Sequence, residues 1–558
     1  MLECFLCMLF QIRAEWALHL LTQPTDYGSI AYEYEKNAYP LALADLWAGN
    51  EKAEAALMFL QQEDLQAIET DGIDLYSGFV LKGQMRKYFG FGDWLEPSYR
   101  DRMYQAMDWL TRTDPLSREA NPPRKFWARS QDDCTTLVDC RNTDNLRAMR
   151  ETSVYLMAEE TGNEMTRQLY QSYLERYVST LLDIGMGEWD SPTYHGHTTA
   201  AYLNLYDFAQ DREVHQLAQA GLDWLFASAA LKYWRGTWTA PGKRWGKEGA
   251  ANFFWLYFGD AAPPETAEKD WIHALTSDYR PPEAVLRLAR REFPKPLEVR
   301  RTHPHYENWK PERYGPAFYE TLYFGHTFQL GSLAQGTGGD WQGFGLTLLQ
   351  GAGTDAMPVE GGGTQAIAQY QNLIVWLGDT APQLTLPQGT VETTAEVTFV
   401  KTEQTWLALR RLENGFVLEV GELPTHGTFE QFKAQVLRRS RLTIEADVIE
   451  YQGSLGNTVA LHPQGEQLPL VWRDSVLHNW QQHGDMSSLL QAIPGLVSVS
   501  NGSADVSLRT IPTGVPQDIN QTDERQRLPA QVPGIHGFPL LEWSRRVSSV
   551  SDLDSAGH

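Results

Sequence analysis

The chain has 558 residues, more than one hydrophobic core usually serves, so we expect two or more domains. Its 42% hydrophobic and 21% charged residues are typical of a soluble globular protein. The formal net charge of −24 argues against a nucleic-acid partner and against binding to an anionic membrane, because both need a basic surface.

The N-terminal run MLECFLCMLFQIR predicts a first helix. It is apolar, but it is too short to span a bilayer and carries neither a basic leader region nor a small-residue cleavage site. The chain as it stands predicts a cytoplasmic protein, whereas a truncated or mis-set start would fit a secreted or periplasmic one, so the localisation stays open. The four cysteines, Cys4, Cys7, Cys134 and Cys140, are too few and too unevenly spaced for a disulfide framework.

The first half of the chain repeats a helical pattern. Apolar residues recur at three- and four-residue spacing from Met165 to Leu182, and Gly185 follows as a stop. A second such run extends from Val214 to Ala229, with Asp211 ahead of it as a helix cap. Further helices are predicted over 41–60, 79–90, 97–112, 144–161, 196–209, 250–258, 266–276 and 282–293. The short connections between successive helices favour antiparallel hairpins.

The pattern changes after Arg301, where glycine becomes frequent and the apolar runs shorten to strand length. The clearest predicted strands are 395–402, 405–412 and 415–423, and Asn414-Gly415 between the last two is a strong hairpin signal. This half is predicted to be an antiparallel β-sandwich.

The predicted fold class is therefore a multidomain α+β protein. A helical domain is expected over 1–293 and a β domain over 317–546. A linker rich in proline and charge, 294–316, joins them, and 547–558 is expected to be a frayed tail.

Two polar clusters are the best candidates for chemistry. The segment EWDSPTYHGHTTAAYLNLYDFA, 188–209, holds carboxylates, the pair Tyr194-His195 and a second histidine directly before a helical run. The other cluster, 141–145, stands at the predicted start of an earlier helix. The length between them suits a helical hairpin, so the clusters are predicted to meet at one end of it. Together they would supply the amides, acids, phenol and imidazole that proton transfer on a sugar requires.

A basic and aromatic segment lies in 224–247. It contains five cations and no acid, with three tryptophans between them: Lys232, Arg235, Lys243, Arg244, Lys247, Trp234, Trp238 and Trp245. Positive charge beside aromatic faces suits an anionic sugar. A solvated loop with buried tryptophans is the alternative interpretation.

The motif W-x-S-P-T-Y followed by L-Y-D-F-A-x-D, from Trp189 to Asp211, resembles the middle of the (α/α) toroid polysaccharide lyases. The segment YETLYFGHTFQLGS, 319–332, resembles the entry into their β-sandwich. The resemblance is to the heparinase II/III-like and alginate-lyase-like members and covers about residues 15–550. Similar toroids also carry glycoside hydrolases, so the fold alone does not choose the reaction.

In the lyases an asparagine binds the uronate carboxylate, and a tyrosine or histidine takes the C5 proton. The resemblance implies that Asn142 or Asn145 neutralises the carboxylate, that His195 is the base and that Tyr194 is base or acid. It also implies a carboxylate clamp at Arg244. The family has an Asn-His dipeptide, but Leu146 follows Asn145 here, so the imidazole must come from elsewhere in the chain.

The expected function is a lyase that cleaves an acidic polysaccharide or oligosaccharide by β-elimination. Its catalytic residues would be Asn142, Asn145, Glu188, Tyr194 and His195, and its substrate-binding residues would be Arg141, Trp189, Trp238, Arg244 and Trp245. One alternative is a glycoside hydrolase that uses Glu188 and Asp190 as its two carboxylates. Another is a glycan-binding protein without catalysis.

No cofactor is expected. The pairs His195/His197 and His303/His305 have a spacing that can chelate a divalent metal from an extended segment, and any such ion is expected to be structural rather than catalytic.

Overall fold

The structure is a computed structural model, and it describes residues 2–30, 34–65, 67–75, 78–112, 143–246, 249–306, 308, 313–335, 341–465 and 467–484. Arg141, Asn142, Cys134, Cys140 and the predicted tail 547–558 lie outside the described residues, so the predictions made for them stay predictions.

The first half of the described chain is helical. In chain order the helices are α1 (Leu2–Leu21), α2 (Glu35–Ala48), α3 (Ala53–Leu60), α4 (Gly78–Met85), α5 (Pro97–Arg112), α6 (Asp144–Thr161), α7 (Glu164–Asp183), α8 (His195–Phe208), α9 (Arg212–Lys232), α10 (Gly249–Phe258), α11 (Trp271–Leu275) and α12 (Glu283–Ala289). No described helix has the length and apolarity that a membrane crossing requires.

The helical periodicity of the sequence is confirmed for the long elements. The apolar stripe from Met165 to Leu182 lies within α7, and Asp211 caps α9 by accepting hydrogen bonds from the backbone of Glu213 at 2.8 Å and Val214 at 3.3 Å. The helix predicted over 41–60 is instead two helices, because α2 ends at Ala48 and the following Gly49 has a left-handed φ of 57°.

The helices pack around a closed circuit. Helix α1 packs on α2, α2 on α4, α4 on α6, α6 on α8, α8 on α10, and α10 returns to α1. Helices α7 and α9 pack on α6 and α8 and are joined to them by short connections, which makes two helical hairpins. One continuous hydrophobic core fills this half and extends to Val299 and Leu322 in the first sheet.

The second half is built mainly of antiparallel strands, and the short strands β1 (Tyr233–Trp234), β2 (Thr237–Trp238) and β3 (Gly242–Lys243) precede it within the helical half. The later strands are β4 (Leu297–Pro304), β5 (Pro316–Phe324), β6 (Phe328–Leu333), β7 (Trp341–Gln342), β8 (Phe344–Gln350), β9 (Gly353–Met357), β10 (Val359–Gly361), β11 (Gln365–Tyr370), β12 (Leu373–Gly378), β13 (Pro382–Leu384), β14 (Thr390–Thr393), β15 (Thr398–Lys401), β16 (Thr405–Leu412), β17 (Gly415–Glu422), β18 (Arg441–Glu445), β19 (Val448–Gln452), β20 (Thr458–Gln464), β21 (Gln467–Arg473) and β22 (Val476–Leu477).

Three sheets are formed by most of these strands. Their strand orders are β4-β5-β6-β8-β9, β11-β12-β17-β16-β15-β14 and β18-β19-β20-β21-β22. The six-stranded sheet shares one hydrophobic cluster with the first sheet and another with the third, so it lies between them. Helices α13 (Leu423–His426) and α14 (Phe429–Arg439) follow β17, and α14 packs on β16 through Phe432 and Trp406. The protein is therefore a mixed α+β structure.

The predicted hairpin at Asn414-Gly415 is confirmed, because Leu412 of β16 pairs with Gly415 of β17. A Cβ atom on Gly415 would lie 2.1 Å from the carbonyl oxygen of Trp376 in the neighbouring strand β12, so only glycine fits at this position. The segment 294–316, predicted to be a linker, contains strand β4, which pairs along its length with β5.

Candidate active site

Four helices begin close to one another at one end of the helical half. Phe79 in the first turn of α4 lies 6.2 Å from the Tyr194 ring and 5.3 Å from the His197 ring, which belong to the start of α8. The backbone N–H of Ala250 in the first turn of α10 donates to the Pro192 carbonyl at 2.8 Å. Leu146 of α6 lies against Gly78. Helix N-termini carry partial positive charge, so this end of the domain favours an anionic ligand.

The two polar clusters of the sequence meet at this end, as predicted. The backbone N–H of Glu188 donates to Asp144 Oδ2 at 2.6 Å, and the backbone N–H of Asn145 donates to Glu188 Oε2 at 3.4 Å. Asn145 does not cap its helix, because the capping position is Thr143. The Thr143 hydroxyl donates to Asn145 Oδ1 at 2.5 Å, and Asn145 is buried, with 2% of its surface exposed.

Glu188 is fully buried beneath these contacts. Burial and the nearby Asp144 raise the pKa of Glu188 to about 8, although the Arg244 charge acts in the opposite direction. Burial also raises the pKa of Asp144. Glu188 is therefore protonated and neutral at pH 7.

Arg244 joins Glu188 to Tyr194. Its Nη1 lies 3.7 Å from Glu188 Oε1, and its Nη2 donates to the Tyr194 hydroxyl at 3.2 Å. The Arg244 side chain is 34% exposed, so it reaches solvent from this position. Its backbone φ of 52° is left-handed, which costs about 1–2 kcal/mol in a residue other than glycine. A hydrogen bond from the Thr193 hydroxyl to the Arg244 carbonyl at 3.2 Å helps to hold that conformation.

His195, the predicted base, does not lie with this group. It has no exposed surface, its Nε2 is 2.9 Å from the Leu225 carbonyl oxygen, and its ring packs against Trp238 and Phe254. Burial lowers the pKa of His195. The histidine that reaches the site is His197, whose side chain is 23% exposed and whose ring lies 6.0 Å from the Tyr194 ring.

Two of the three tryptophans predicted to bind substrate are core residues. Trp189 is fully buried and stacks between His303 and Trp341 at ring distances of 4.9 and 6.3 Å. Trp238 is 2% exposed, and its Nε1 donates to the Asp190 carbonyl at 2.8 Å. Neither offers a face to a sugar in this conformation. Trp245, directly after Arg244, is partly buried and packs against the core of the helical half.

Asp190 lies behind the site in a buried ionic network between the two halves. Arg301 binds Asp190 and Glu320, Lys232 binds Glu320, and Lys232 Nζ is 3.7 Å from Asp190 Oδ2. Burial would raise the pKa of Asp190, but the charges of Arg301 and Lys232 lower it overall. Asp190 is therefore a carboxylate whose charge is already compensated.

Among the residues that the structure describes, no cluster of three or more possible metal ligands contains both histidines of either pair. His195 and His197 belong to a helix, where residues two apart point to different sides, and they contact Leu225 and Asp270. His303 does lie with Asp190 and Glu320, whose ligand atoms are within 4.8 Å of one another. Arg301 and Lys232 already occupy that cluster. A second group within the same distance, Glu35, Asp64 and Asp74, is buried in the helical half.

Sequence reasoning missed Asp270, which contacts both His197 and Lys82. The helix predicted over 266–276 places Asp270 within that helix, and nothing in the sequence links Asp270 to a distant residue. Only the folded chain brings it to residues 73 and 188 positions away. The aromatic neighbour Phe79 was missed for the same reason.

Comparison with known proteins gives no relative for this chain. No protein-family model, no curated protein and no solved structure matches it significantly.

Proposed function

We propose that the protein is a polysaccharide lyase that cleaves a uronate-containing glycan by β-elimination at the site around Tyr194, His197 and Arg244. The observation that carries the proposal is the contact of these three side chains at an end of the domain where helix N-termini converge. A phenol, an imidazole and a guanidinium are the groups that elimination beside a carboxylate needs.

The proposed substrate carboxylate binds Arg244, whose side chain is partly exposed. Because the pKa of Glu188 is raised to about 8, its carboxyl is neutral at pH 7 and does not compete with the substrate carboxylate for the positive charge of Arg244. The helix N-termini add to the attraction for an anion. Neutralising the carboxylate stabilises the negative charge that develops when the C5 proton leaves.

The proton transfers are divided between His197 and Tyr194. His197 Nε2 accepts the C5 proton, and the C–H electron pair forms the C4–C5 double bond as the C4–O bond breaks. The Tyr194 oxygen accepts a hydrogen bond from Arg244, so its own O–H proton is directed to a different acceptor. We assign that proton to the departing glycosidic oxygen. His197 replaces His195 as the proposed base because His195 is enclosed in the core.

The architecture supports a toroid lyase of the heparinase II/III-like or alginate-lyase-like kind. The closed circuit of helices from α1 to α10 is consistent with an (α/α) toroid. The shared hydrophobic clusters between sheets are consistent with a β-sandwich. This assignment is part of the proposal.

One observation favours a glycoside hydrolase as the second candidate. The environments of Glu188 and Asp190 move their pKa values apart, upward for Glu188 to about 8 and downward for Asp190, as in an acid and base pair. Against this, Asp190 is 1% exposed and bound by Arg301. The half-buried Glu268, whose pKa burial and Asp270 raise to about 7, is another acid at the same end of the domain.

The test is to incubate the protein with alginate, heparin, hyaluronan and pectate, and to follow unsaturated-uronate absorbance and reducing ends together. The proposal predicts that both signals rise in parallel on at least one polymer. Reducing ends without absorbance would support the hydrolase. Retained binding of a polymer with neither signal would support a glycan-binding protein.

A further inference from the structure

The contact between His197 and Asp270 connects the candidate site to a buried charge pair. Asp270 is 2% exposed; its Oδ2 is hydrogen bonded to His197 Nδ1, and its Oδ1 is bound by Lys82 Nζ. Lys82 is 1% exposed. The three side chains come from α8, α4 and the residue before α11, so three separate elements meet at one carboxylate.

A capping role does not account for Asp270. Aspartate is favoured at the N-cap, and Asp270 occupies that position for α11. Its side chain nevertheless makes no capping hydrogen bond, because both carboxylate oxygens are directed to His197 and Lys82. Asp270 therefore contacts His197 of the candidate site instead of capping its own helix.

The ionisation state of Asp270 is set by its neighbours. Burial would raise its pKa, but the positive charge of Lys82 and the interaction with His197 hold the pKa well below the usual range. A carboxylate can only accept a hydrogen bond, so the proton between the two groups belongs to His197 Nδ1. In the neutral imidazole, the opposite ring atom, Nε2, then carries the lone pair.

The ring of His197 is also fixed by packing. Phe79 contacts it edge-on at 5.3 Å, and Tyr194 lies 6.0 Å away. Two other titratable groups near the pair are His273, whose Nε2 lies 4.0 Å from Asp270 Oδ1, and Glu268, which precedes Asp270 by two residues. Both contact Asp270, whereas Asp270 Oδ2 is itself hydrogen bonded to His197 Nδ1, so Asp270 is the group that selects the tautomer of His197.

We infer that Asp270 is the positioning residue of the site: it holds His197 in the Nδ1–H tautomer with Nε2 ready to accept a proton, and Lys82 keeps Asp270 ionised. The catalytic consequence rests on the proposed function. The tautomer itself does not, so the two can be tested separately.

The experiment uses the full chain labelled with ¹⁵N-histidine, and the His197 signals are assigned by their loss in His197→Gln. The wild type is expected to show a protonated Nδ1 and an unprotonated Nε2 near pH 7. Asp270→Asn, whose amide can donate to Nδ1, is expected to shift His197 towards the other tautomer. On a substrate that the wild type cleaves, it should lower kcat by about 10²–10⁴-fold with a smaller change in KM.

Asp278→Asn, at an exposed aspartate of the same half, is the matched control and should change neither readout. A wild-type His197 with Nε2 protonated would overturn the inference, as would an unchanged tautomer in folded Asp270→Asn. If Asp270→Asn does not fold, the wild-type spectrum decides alone. The Nδ1–H tautomer in a protein without lyase activity would uphold the positioning role and contradict the proposed function.

Discussion

Arg244 contacts Tyr194 twice: its Nη2 donates to the tyrosine hydroxyl at 3.2 Å, and its guanidinium carbon lies 4.7 Å from the centroid of the same ring. Both contacts fix the phenol without using its proton. The aromatic part of the contact contributes about 0.5–1 kcal/mol at an exposed position and survives removal of the hydroxyl.

Tyr194→Phe therefore separates chemistry from structure. The ring contacts with Arg244 and Phe79 remain, but the proton donor is lost, so we expect kcat to fall about 10²–10⁴-fold. The free energy of unfolding should change by less than about 1 kcal/mol, because a single partly exposed hydrogen bond is removed. Steady-state kinetics and urea denaturation of the same preparation check both. Full activity in the variant would remove Tyr194 from the mechanism.

The two histidines of α8 should respond in opposite ways. His195→Ala leaves a cavity beside Trp238 and Phe254 and removes the partner of the Leu225 carbonyl, so we expect a loss of about 2–4 kcal/mol in unfolding free energy. His197→Ala should abolish elimination and cost less stability, since its side chain is partly exposed. Urea denaturation and activity measurements on both variants test this difference. A His195→Ala variant that is stable but inactive would indicate that His195, and not His197, is the catalytic base.

Glu188→Gln should stabilise the protein at high pH. The pKa of Glu188 is about 8 when folded, against an ordinary value of 4.5, so the folded state keeps a proton that the unfolded chain has lost between these values. The wild type therefore loses stability as the pH rises from 4.5 through 8. Glutamine imitates the protonated form, so the variant should match the wild type near pH 5 and exceed it by about 2–4 kcal/mol at pH 9. Thermal unfolding across this range tests the sign, and a difference independent of pH would contradict it.

The same ionisation should weaken the binding of an anionic substrate. Above pH 8 Glu188 is ionised, and its carboxylate lies 3.7 Å from Arg244 Nη1. It then competes with the substrate carboxylate for the positive charge of Arg244. We expect KM to rise between pH 7 and 9 in the wild type, and to rise much less in Glu188→Gln. Arg244→Lys is a useful comparison, because lysine keeps the charge but loses the bidentate geometry. A wild-type KM that stays constant over this range would argue against the role given to Glu188.

The ionic network between the two halves should be essential for stability. Glu320 accepts from both Lys232 and Arg301, and all three are buried. Glu320→Gln leaves buried positive charge uncompensated, and we expect a loss of about 3–5 kcal/mol in unfolding free energy. Glu392→Gln, at an exposed ion pair with Lys433, is the matched control and should cost no more than about 1 kcal/mol. Equal small effects in urea denaturation would show that the network is dispensable.

The regular elements were predictable because their signals are local. The apolar repeat around Leu174 marked α7, Asp211 marked the start of α9, and Asn414-Gly415 marked a hairpin, and each of these signals lies within the element it defines. The meeting of Asn145 with Glu188 also followed from chain length between two predicted helix starts.

The site residues were less predictable because their environments come from distant segments. The burial of Trp189 depends on Trp341, and the position of His197 depends on Asp270. The pair His195/His197 suggested chelation from an extended segment, but both residues lie in a helix and point to different sides. The local signal that could have distinguished buried His195 from partly exposed His197 was the side of the helix on which each histidine lies.

The most direct test of the central claim is the initial rate of unsaturated-uronate formation by the wild type and by His197→Gln on the same acidic polymer. The account predicts that the wild type forms the unsaturated product, and that the folded variant forms it at least about 100-fold more slowly. Reducing ends without the unsaturated product, or an equal rate in the variant, would contradict elimination at His197.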